Sequence, residues 1–274
     1  MSQITEEDDG SPSTDVGQWA KDKHNYLQTY LNISRGVRKG FTYGPSRSAT
    51  FVDLFCGSGR YQIRGTDEWI DGSAVAAWKI SKLGNAPFSK IYISDIDEDL
   101  RKACAERLRN LGAPVIELQG DAIHAATQYA KLVHPKGLHF AFIDPYNLRT
   151  LDFEILAELS KIQRMDMLIH VSKMDLQRNL SINLKSKNSA FNSFIPGWQN
   201  IINTDRQHQD VRRQIIECWR QKIVDLGFTP STDVKLIKGK KGQPLYWLLL
   251  AAKHDLAQKF WTATLRTDAQ GSLF

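Results

Sequence analysis

Glycine and acidic residues follow four successive apolar segments of this chain. Gly57 and Gly59 close the first segment, Asp53-Leu54-Phe55-Cys56-Gly57-Ser58-Gly59. The acidic positions that follow the next three segments are Asp95, Asp97, Asp121 and Asp144. A glycine turn after a strand lets backbone N–H groups approach a nucleotide-like ligand without any Cβ in the way. The spacing therefore predicts a nucleoside site.

Each of these positions suits a different part of a bound nucleoside cofactor. A carboxylate at Asp95 accepts hydrogen bonds from both ribose hydroxyls, and one at Asp121 accepts from an exocyclic adenine amine. The alternative for Asp97 and Asp121, and less so for Asp95, is that the carboxylate caps a helix. The cofactor-binding residues we predict are Asp53, Phe55, Gly57, Gly59, Asp95, Asp97 and Asp121.

The elements that must position these residues alternate along the chain. Apolar strand patterns occur at 50–55, 90–94, 114–119, 138–143 and 166–171, and helical patterns at 18–33, 73–83, 98–110, 122–132 and 153–162. Strands this apolar, separated by helices, predict a parallel sheet covered on both faces. We therefore expect an α/β, Rossmann-like, doubly wound sheet, mostly parallel, whose carboxyl edge carries the ligand site.

The two ends of the chain do not follow this alternation of strands and helices. Residues 1–17 are acidic and polar, which predicts a disordered tail. Residues 18–274 are expected to form a single domain with a polar insertion at about 172–208. A helix at 209–225, strands at 234–237 and 245–252 and a helix at 255–265 complete it, and the last strand is expected to be antiparallel.

Composition limits the classes of protein that this chain can belong to. The three cysteines, Cys56, Cys104 and Cys218, show no paired spacing, so neither a disulfide framework nor a metal site is expected. No apolar run reaches the roughly 18 residues of a membrane span. The acidic start is unlike a signal peptide. We expect a cytoplasmic protein without a membrane partner.

The segment from Asp53 to Gly59 resembles the first motif of S-adenosylmethionine-dependent methyltransferases of class I, with Phe55 in place of their usual first glycine. A second departure is an inserted loop from Arg60 to Gly72 before the next helix. The resemblance implies S-adenosylmethionine as the cofactor. Asp144-Pro145-Tyr146-Asn147 is similar to the D/N-P-P-Y/F motif of amino-group methyltransferases, although it has one proline.

The motif at Asp144, Pro145 and Tyr146 is our predicted catalytic group. Asp144 and the Pro145 carbonyl could each accept one N–H of an exocyclic amine, which would aim the nitrogen lone pair at the methyl group. Tyr146 could stack on the target base, and a base in a duplex would have to be flipped out. In the alternative interpretation, Asp144 caps the next helix and Pro145-Tyr146 shape a turn.

Basic residues near the same edge predict a polyanionic substrate. The net charge is +6, and residues 1–20 hold five acidic and no basic residues, which leaves +11 on the rest. Such a body is typical of nucleic-acid-binding proteins, although many basic proteins bind none. The predicted substrate-binding residues are Arg60, Tyr61, Arg64, Lys173, Lys238, Lys240 and Lys241. Solvated lysine-rich loops are the alternative. His24 as a lid residue and His170 as an acid–base group rank lower.

A second resemblance covers most of the chain. Lys23-His24 with Leu27, the segment from Val52 to Tyr61, and Asp71-Gly72-Ser73 are similar to the three-Cys-motif partner proteins. So are Ile143-Asp144-Pro145-Tyr146 and the segment from Tyr246 to Trp261. The resemblance implies a bacterial protein with a methyltransferase-like fold and a three-Cys-motif protein encoded nearby as a partner.

The sequence thus predicts an S-adenosylmethionine-dependent methyltransferase acting on an amino group of an RNA or DNA base. The alternative is a non-catalytic, methyltransferase-like binding module that acts with a partner protein. A nicotinamide-dependent dehydrogenase is a third reading, which the Asp144-Pro145-Tyr146 segment and the terminal strand pair disfavour.

Overall fold

The computed structural model describes residues 4–6, 12–43 and 48–269. The strands are β1 (Ile4–Glu6), β2 (Pro12–Val16), β3 (Ala49–Asp53), β4 (Arg60–Ile63), β5 (Trp69–Asp71), β6 (Lys90–Ile93), β7 (Val115–Glu117), β8 (Leu138–Ile143), β9 (Met165–Val171), β10 (Thr229–Pro230), β11 (Lys235–Lys238) and β12 (Pro244–Ala252). The helices are α1 (Trp19–Ile33), α2 (Arg35–Thr42), α3 (Ser73–Leu83), α4 (Glu98–Asn110), α5 (Ala122–Leu132), α6 (Phe153–Ser160), α7 (Lys173–Arg178), α8 (Leu180–Lys185), α9 (Phe191–Phe194), α10 (His208–Asp225) and α11 (Asp255–Ala269).

The central sheet has the order β7-β6-β3-β8-β9-β12, with β10 and β11 both paired to β12. The pairs from β7 to β9 are parallel, whereas β12 runs antiparallel to β9. From β3 the chain goes first to β6 and β7 and then returns to β8 and β9, so the strand order reverses beside β3. This arrangement confirms the predicted fold class, a Rossmann-like sheet of the class I methyltransferase type.

Helices cover both faces of this sheet. On one face, apolar residues of α1, α3, α4 and α11 pack together, with Leu27 and Trp261 fully buried. On the other face, residues of α5, α6, α9 and α10 pack together, with Tyr129 and Phe191 fully buried. Every residue of β3 is buried, which explains why its sequence does not alternate between apolar and exposed polar residues.

A small second sheet, ordered β1-β2-β4-β5, corrects two expectations. The expected loop from Arg60 to Gly72 contains a hairpin of β4 and β5. The expected disorder over 1–17 does not hold for Pro12–Val16, because this strand pairs in parallel with β4. Arg107 of α4 also donates to the carbonyls of Pro12, at 2.9 Å, and Ser58, at 2.7 Å. Residues 1–3 and 7–11 of the expected tail lie outside the described residues.

The polar segment expected at 172–208 is more regular than its sequence indicates. It contains the short helices α7, α8 and α9. Phe191, Phe194 and Trp198 are buried and attach it to the sheet's core. Across the described residues, no helix has both the length and the apolar character needed to cross a membrane.

Candidate functional site

The glycine turn after β3 has a backbone that requires glycine. Gly57 has a φ of +54° and Gly59 a φ of +80°, which is the left-handed region that side chains rarely adopt. A Cβ on Gly57 would lie 2.1 Å from the Tyr61 hydroxyl. That hydroxyl donates to the Cys56 carbonyl at 3.1 Å. Tyr61, predicted as a substrate-binding residue, therefore lies against the turn.

Asp53 holds the segment that leads into this turn through two hydrogen bonds. Its side chain is fully buried, where it accepts hydrogen bonds from the Phe55 backbone N–H at 3.1 Å and from the Ser73 hydroxyl. Burial raises the pKa of Asp53 to about 7. The structure gives Asp53 a role in holding the loop, since its carboxyl has no exposed surface. Its contact with the cofactor stays a prediction. Phe55 is half-buried.

Asp95 joins the end of β6 to the glycine turn. One carboxylate oxygen accepts the Gly57 N–H at 2.9 Å, and the other accepts the Asp97 N–H at 3.0 Å. Asp95 is half-exposed, and burial raises its pKa. The structure thus brings Gly57 and Asp95 together at the carboxyl edge of neighbouring strands.

Asp97 and Asp121 cap helices, as the alternative interpretation predicted. Asp97 accepts the N–H groups of Asp99 and Leu100 at the start of α4. Asp121 accepts the N–H of His124 at 2.9 Å at the start of α5. These caps explain both residues without a ligand, and Asp121 follows β7, two strands away from β3.

Asp144, directly after β8, is the centre of a mostly buried charged cluster, and its own side chain is 15% exposed. The Lys23 ammonium donates to one of its carboxylate oxygens, and His170 Nδ1 lies 2.5 Å from the other. Burial acts to raise the pKa of Asp144, but the charge of Lys23 and the hydrogen bond from His170 outweigh it and hold that pKa well below its usual range. Asp144 is therefore a carboxylate at neutral pH.

His170 is oriented by Asp144 and by an aromatic neighbour. Burial lowers its pKa, so at neutral pH the imidazole is uncharged and Nδ1 carries the proton that it donates to Asp144. His170 Nε2 is buried and has no hydrogen-bond partner among the described residues. The Tyr246 ring lies 4.0 Å from the imidazole, centroid to centroid.

The alternative interpretation of the catalytic motif is wrong in one respect. The N-cap of the following helix, α6, is Asp152 and not Asp144. Pro145 is buried, whereas the Tyr146 side chain next to it is 93% exposed. An aromatic ring so exposed beside a mostly buried carboxylate is suited to contact with a flat partner.

The basic residues predicted to bind substrate have different environments. Arg64 is paired with Asp15 of β2 at 2.5 Å, Arg60 lies over the Trp69 ring at 5.6 Å, and Lys173 lies over the Trp247 ring at 5.0 Å. Lys238 at the end of β11 and Lys240 and Lys241 in the turn that follows it are exposed. Because β11 and β9 both run antiparallel to β12, this turn leaves the sheet at the carboxyl edge.

Sequence reasoning did not assign Lys23 to the site. It lies on the same buried face of α1 as Ala20, Leu27 and Tyr30, and a lysine within an apolar helical stripe was the available indication. His24 is next to it and also buried, and burial lowers its pKa to about 3. Tyr246, which donates its hydroxyl to the Trp19 carbonyl at 3.2 Å, was likewise not predicted as a site residue.

Comparisons with known proteins support the fold and no closer relationship. No protein-family model matches the sequence, and no curated protein matches it. The resemblance to three-Cys-motif partner proteins therefore stays a prediction.

Several solved structures are similar to this chain at low sequence identity. Protein LPL1258 from Legionella pneumophila, of family DUF519, is 10% identical, with a TM-score of 0.52 over 88% of this chain and 92% of that one. A putative RNA methyltransferase from Pyrococcus horikoshii is 13% identical, with a TM-score of 0.42 over 84% of each chain. The methyltransferase domain of bacterial CtHen1 is 11% identical, with a TM-score of 0.44 over 84% of this chain and 98% of that one. The first of these, with a TM-score above 0.5, shows a shared fold.

Proposed function

We propose that this chain is an S-adenosylmethionine-dependent methyltransferase that acts on an amino group of an RNA or DNA base. The observation that carries the proposal is the Asp144 carboxylate, which accepts a hydrogen bond from an N–H donor, the Lys23 ammonium, at the carboxyl edge of the sheet. The same edge carries Gly57 and Asp95, joined by a 2.9 Å hydrogen bond.

The glycine turn and Asp95 fit the proposed cofactor. The positive φ angles of Gly57 and Gly59 give the turn a backbone shape that residues other than glycine rarely adopt. Asp95 is the half-exposed carboxylate at the end of β6, where a ribose would be hydrogen-bonded in a Rossmann-like fold. When bound, the cofactor would supply an electrophilic methyl group. The side chains of Tyr61 and Asp95 would have to move when the cofactor binds, because both contact the glycine turn.

The Asp144 motif would orient the acceptor. With its pKa held low by Lys23 and His170, Asp144 accepts hydrogen bonds at neutral pH and does not donate them. The target amine would take the place of the Lys23 ammonium at the carboxylate, and the Pro145 carbonyl would accept its second N–H. The exposed Tyr146 ring would stack on the base that carries the amine.

Exposed charge on the same edge supports a nucleic acid as the acceptor. Exposed Lys238 ends β11 near the carboxyl end of β9, and exposed Lys240 and Lys241 lie in the turn that follows. Half-buried Lys173 begins α7 one residue after β9. Cations at this edge would bind phosphates near the reacting base.

The test is methyl transfer from labelled S-adenosylmethionine to separate RNA, DNA and small-metabolite fractions. Tyr146→Ala should lose most of the transfer to RNA or DNA without a change in Tm, because this side chain is exposed. Leu132→Ala, at a 56% exposed position on α5, is the matched control and should transfer as the parent does. Cofactor binding without transfer to any fraction would rule out the enzyme.

A second candidate is a binding module that has no turnover and acts with a partner, the nearby three-Cys-motif protein being the predicted one. This candidate is favoured because the polar groups of the site already form hydrogen bonds with one another. Both Asp144 oxygens are engaged by Lys23 and His170, and the Gly57 N–H is engaged by Asp95. Calorimetry with S-adenosylmethionine tests the cofactor site: absence of binding would rule out the methyltransferase and leave the binding module, whereas binding would leave the choice to the methyl-transfer assay.

A further inference from the structure

A cavity of 420 Å³ lies at the opposite edge of the central sheet from Asp144. Thr50, Leu138 and Met165 line it, and they stand at the amino ends of β3, β8 and β9. The glycine turn and Asp144 follow the carboxyl ends of β3 and β8, so the cavity is separate from the candidate site. Its volume is within the range of about 300–1,000 Å³ that is typical of small-molecule sites.

The walls of this cavity are mainly apolar, and their aromatic rings are already packed in place. Tyr30 and Phe140 are in ring contact at 5.3 Å between centroids, and Phe140 stacks with Phe51 at 5.9 Å. The aromatic residues that line the cavity are Tyr30, Phe41, Phe88, Phe140 and Phe260. A preformed apolar surface of this kind binds an apolar body without an ordering cost in the protein.

The charged groups that line the cavity are mostly cations. Among the described lining residues these are Arg38, Arg164 and Lys253, with His254 beside them and Asp166 as the carboxyl group. Asp166 already accepts the Tyr30 hydroxyl at 3.1 Å. The balance of charge therefore favours an anionic ligand.

One nitrogen of the Arg38 guanidinium has no hydrogen-bond acceptor among the described residues. Its side chain is 2% exposed, and it donates through Nε to the Ala86 carbonyl at 2.7 Å and through Nη1 to the Leu31 carbonyl at 2.8 Å. Its Nη2 is buried and has no hydrogen-bond partner among the described residues. A buried guanidinium nitrogen without an acceptor is costly, and a carboxylate is the group that best satisfies it.

We propose that this cavity binds an amphipathic monocarboxylate, with its hydrocarbon or aromatic body between the apolar walls and its carboxylate beside Arg38 and Arg164. Arg164 is exposed and lies over the Phe41 ring at 5.8 Å, so it can reach a headgroup at the rim. The proposal does not depend on methyl transfer or on the proposed cofactor.

Titration calorimetry with decanoate, decylamine and decanol tests the headgroup, since the three probes share one hydrocarbon body. Decanoate should bind at least tenfold more tightly than the other two, because only it pairs with the cations. Equal affinity for all three, or no binding of decanoate, would overturn the assignment.

Three variants test the location. Arg164→Ala should weaken decanoate binding at least fivefold, whereas Arg178→Ala, an exposed arginine on α7 at the other edge, should leave it unchanged. Val37→Trp places a ring in the cavity from a half-buried position on α2 and should abolish binding with Tm preserved. Unchanged decanoate affinity in a folded Val37→Trp protein would show that the ligand binds elsewhere.

Discussion

His170 Nδ1 lies 2.5 Å from a carboxylate oxygen of Asp144, and this contact joins the carboxyl ends of the neighbouring strands β9 and β8. Lys23 reaches the other oxygen of the same carboxylate from helix α1. The motif that sequence reasoning treated as a free acceptor is thus held by two side chains of the chain itself. Its availability to a substrate depends on how firmly α1 is packed over the sheet.

Replacing Lys23 by Met should cost about 3–5 kcal/mol of unfolding free energy, because it leaves the mostly buried Asp144 carboxylate with one partner fewer. Lys21→Met is the matched control on the same helix, since Lys21 forms an exposed pair with Glu68 and should cost less than about 1 kcal/mol. Urea denaturation measures both. Equal losses for the two variants would mean that the buried contact contributes no more than the exposed one.

Asp95→Ala and Asp97→Ala should separate cofactor binding from helix capping. Asp95→Ala removes the carboxylate beside Gly57 and should weaken S-adenosylmethionine binding about 10- to 100-fold, the effect of losing hydrogen bonds to a charged group. Asp97→Ala should leave affinity within about threefold and lower the free energy of unfolding by about 0.5–2 kcal/mol, because it removes the α4 cap. Calorimetry and thermal unfolding on each variant make the comparison, and the opposite pattern would reverse the two assignments.

Asp53 should make stability fall as the pH rises. Its pKa is about 7 in the folded chain, against an ordinary value of 3.8. Between these values the folded chain holds a proton that the unfolded chain releases, so the stabilisation is fully present below about pH 4 and is lost as the pH passes about 7.

Asp53→Asn can keep an acceptor for the Phe55 N–H and offer a donor to Ser73 without ionising. The parent should therefore lose unfolding free energy relative to Asp53→Asn as the pH rises from about 4 to about 7. The difference between the two should change by at most about 1.4 kcal/mol per pH unit. Urea denaturation at several pH values measures the difference. A difference that stays constant with pH would contradict the raised pKa.

Gly57→Ala should destabilise the turn by about 1–2 kcal/mol for the left-handed backbone alone, with a further loss from the contact with the Tyr61 hydroxyl. In a Tyr61→Phe background the further loss should shrink, because the hydroxyl that would lie 2.1 Å from the new Cβ is gone. A double-mutant cycle of unfolding free energies measures this coupling. Strictly additive effects would show that the two residues do not meet.

Reversing the charge of Lys238, Lys240 and Lys241 to Glu should weaken RNA and DNA binding and reduce its dependence on salt, because phosphate contacts release counterions. Lys131→Glu with Lys136→Glu, two exposed lysines at the amino edge of the sheet, is the control and should change affinity much less. Fluorescence anisotropy at several salt concentrations gives both quantities. Equal losses in the two variants would indicate a general effect of charge and no binding edge.

Much of the fold could be read from local pattern. The apolar segments and their helical connections predicted the parallel sheet. The expected antiparallel last strand is confirmed by the register of β12 against β9. The hairpin of β4 and β5 was missed because its short strands are only half-buried over most of their length. Pro12–Val16 was missed because its order comes from pairing with that hairpin.

The sequence by itself determined which residues stand at the carboxyl edge, because a parallel strand order sends the end of every strand to the same side. Tertiary structure decided what each of them does there. Asp97 and Asp121 face the first turns of their own helices, Asp53 is buried under the glycine turn, and Asp144 meets Lys23 from 121 residues away and His170 from 26 residues away. Those partners depend on how α1 crosses the sheet and on which strands become neighbours, and no local pattern contains that information.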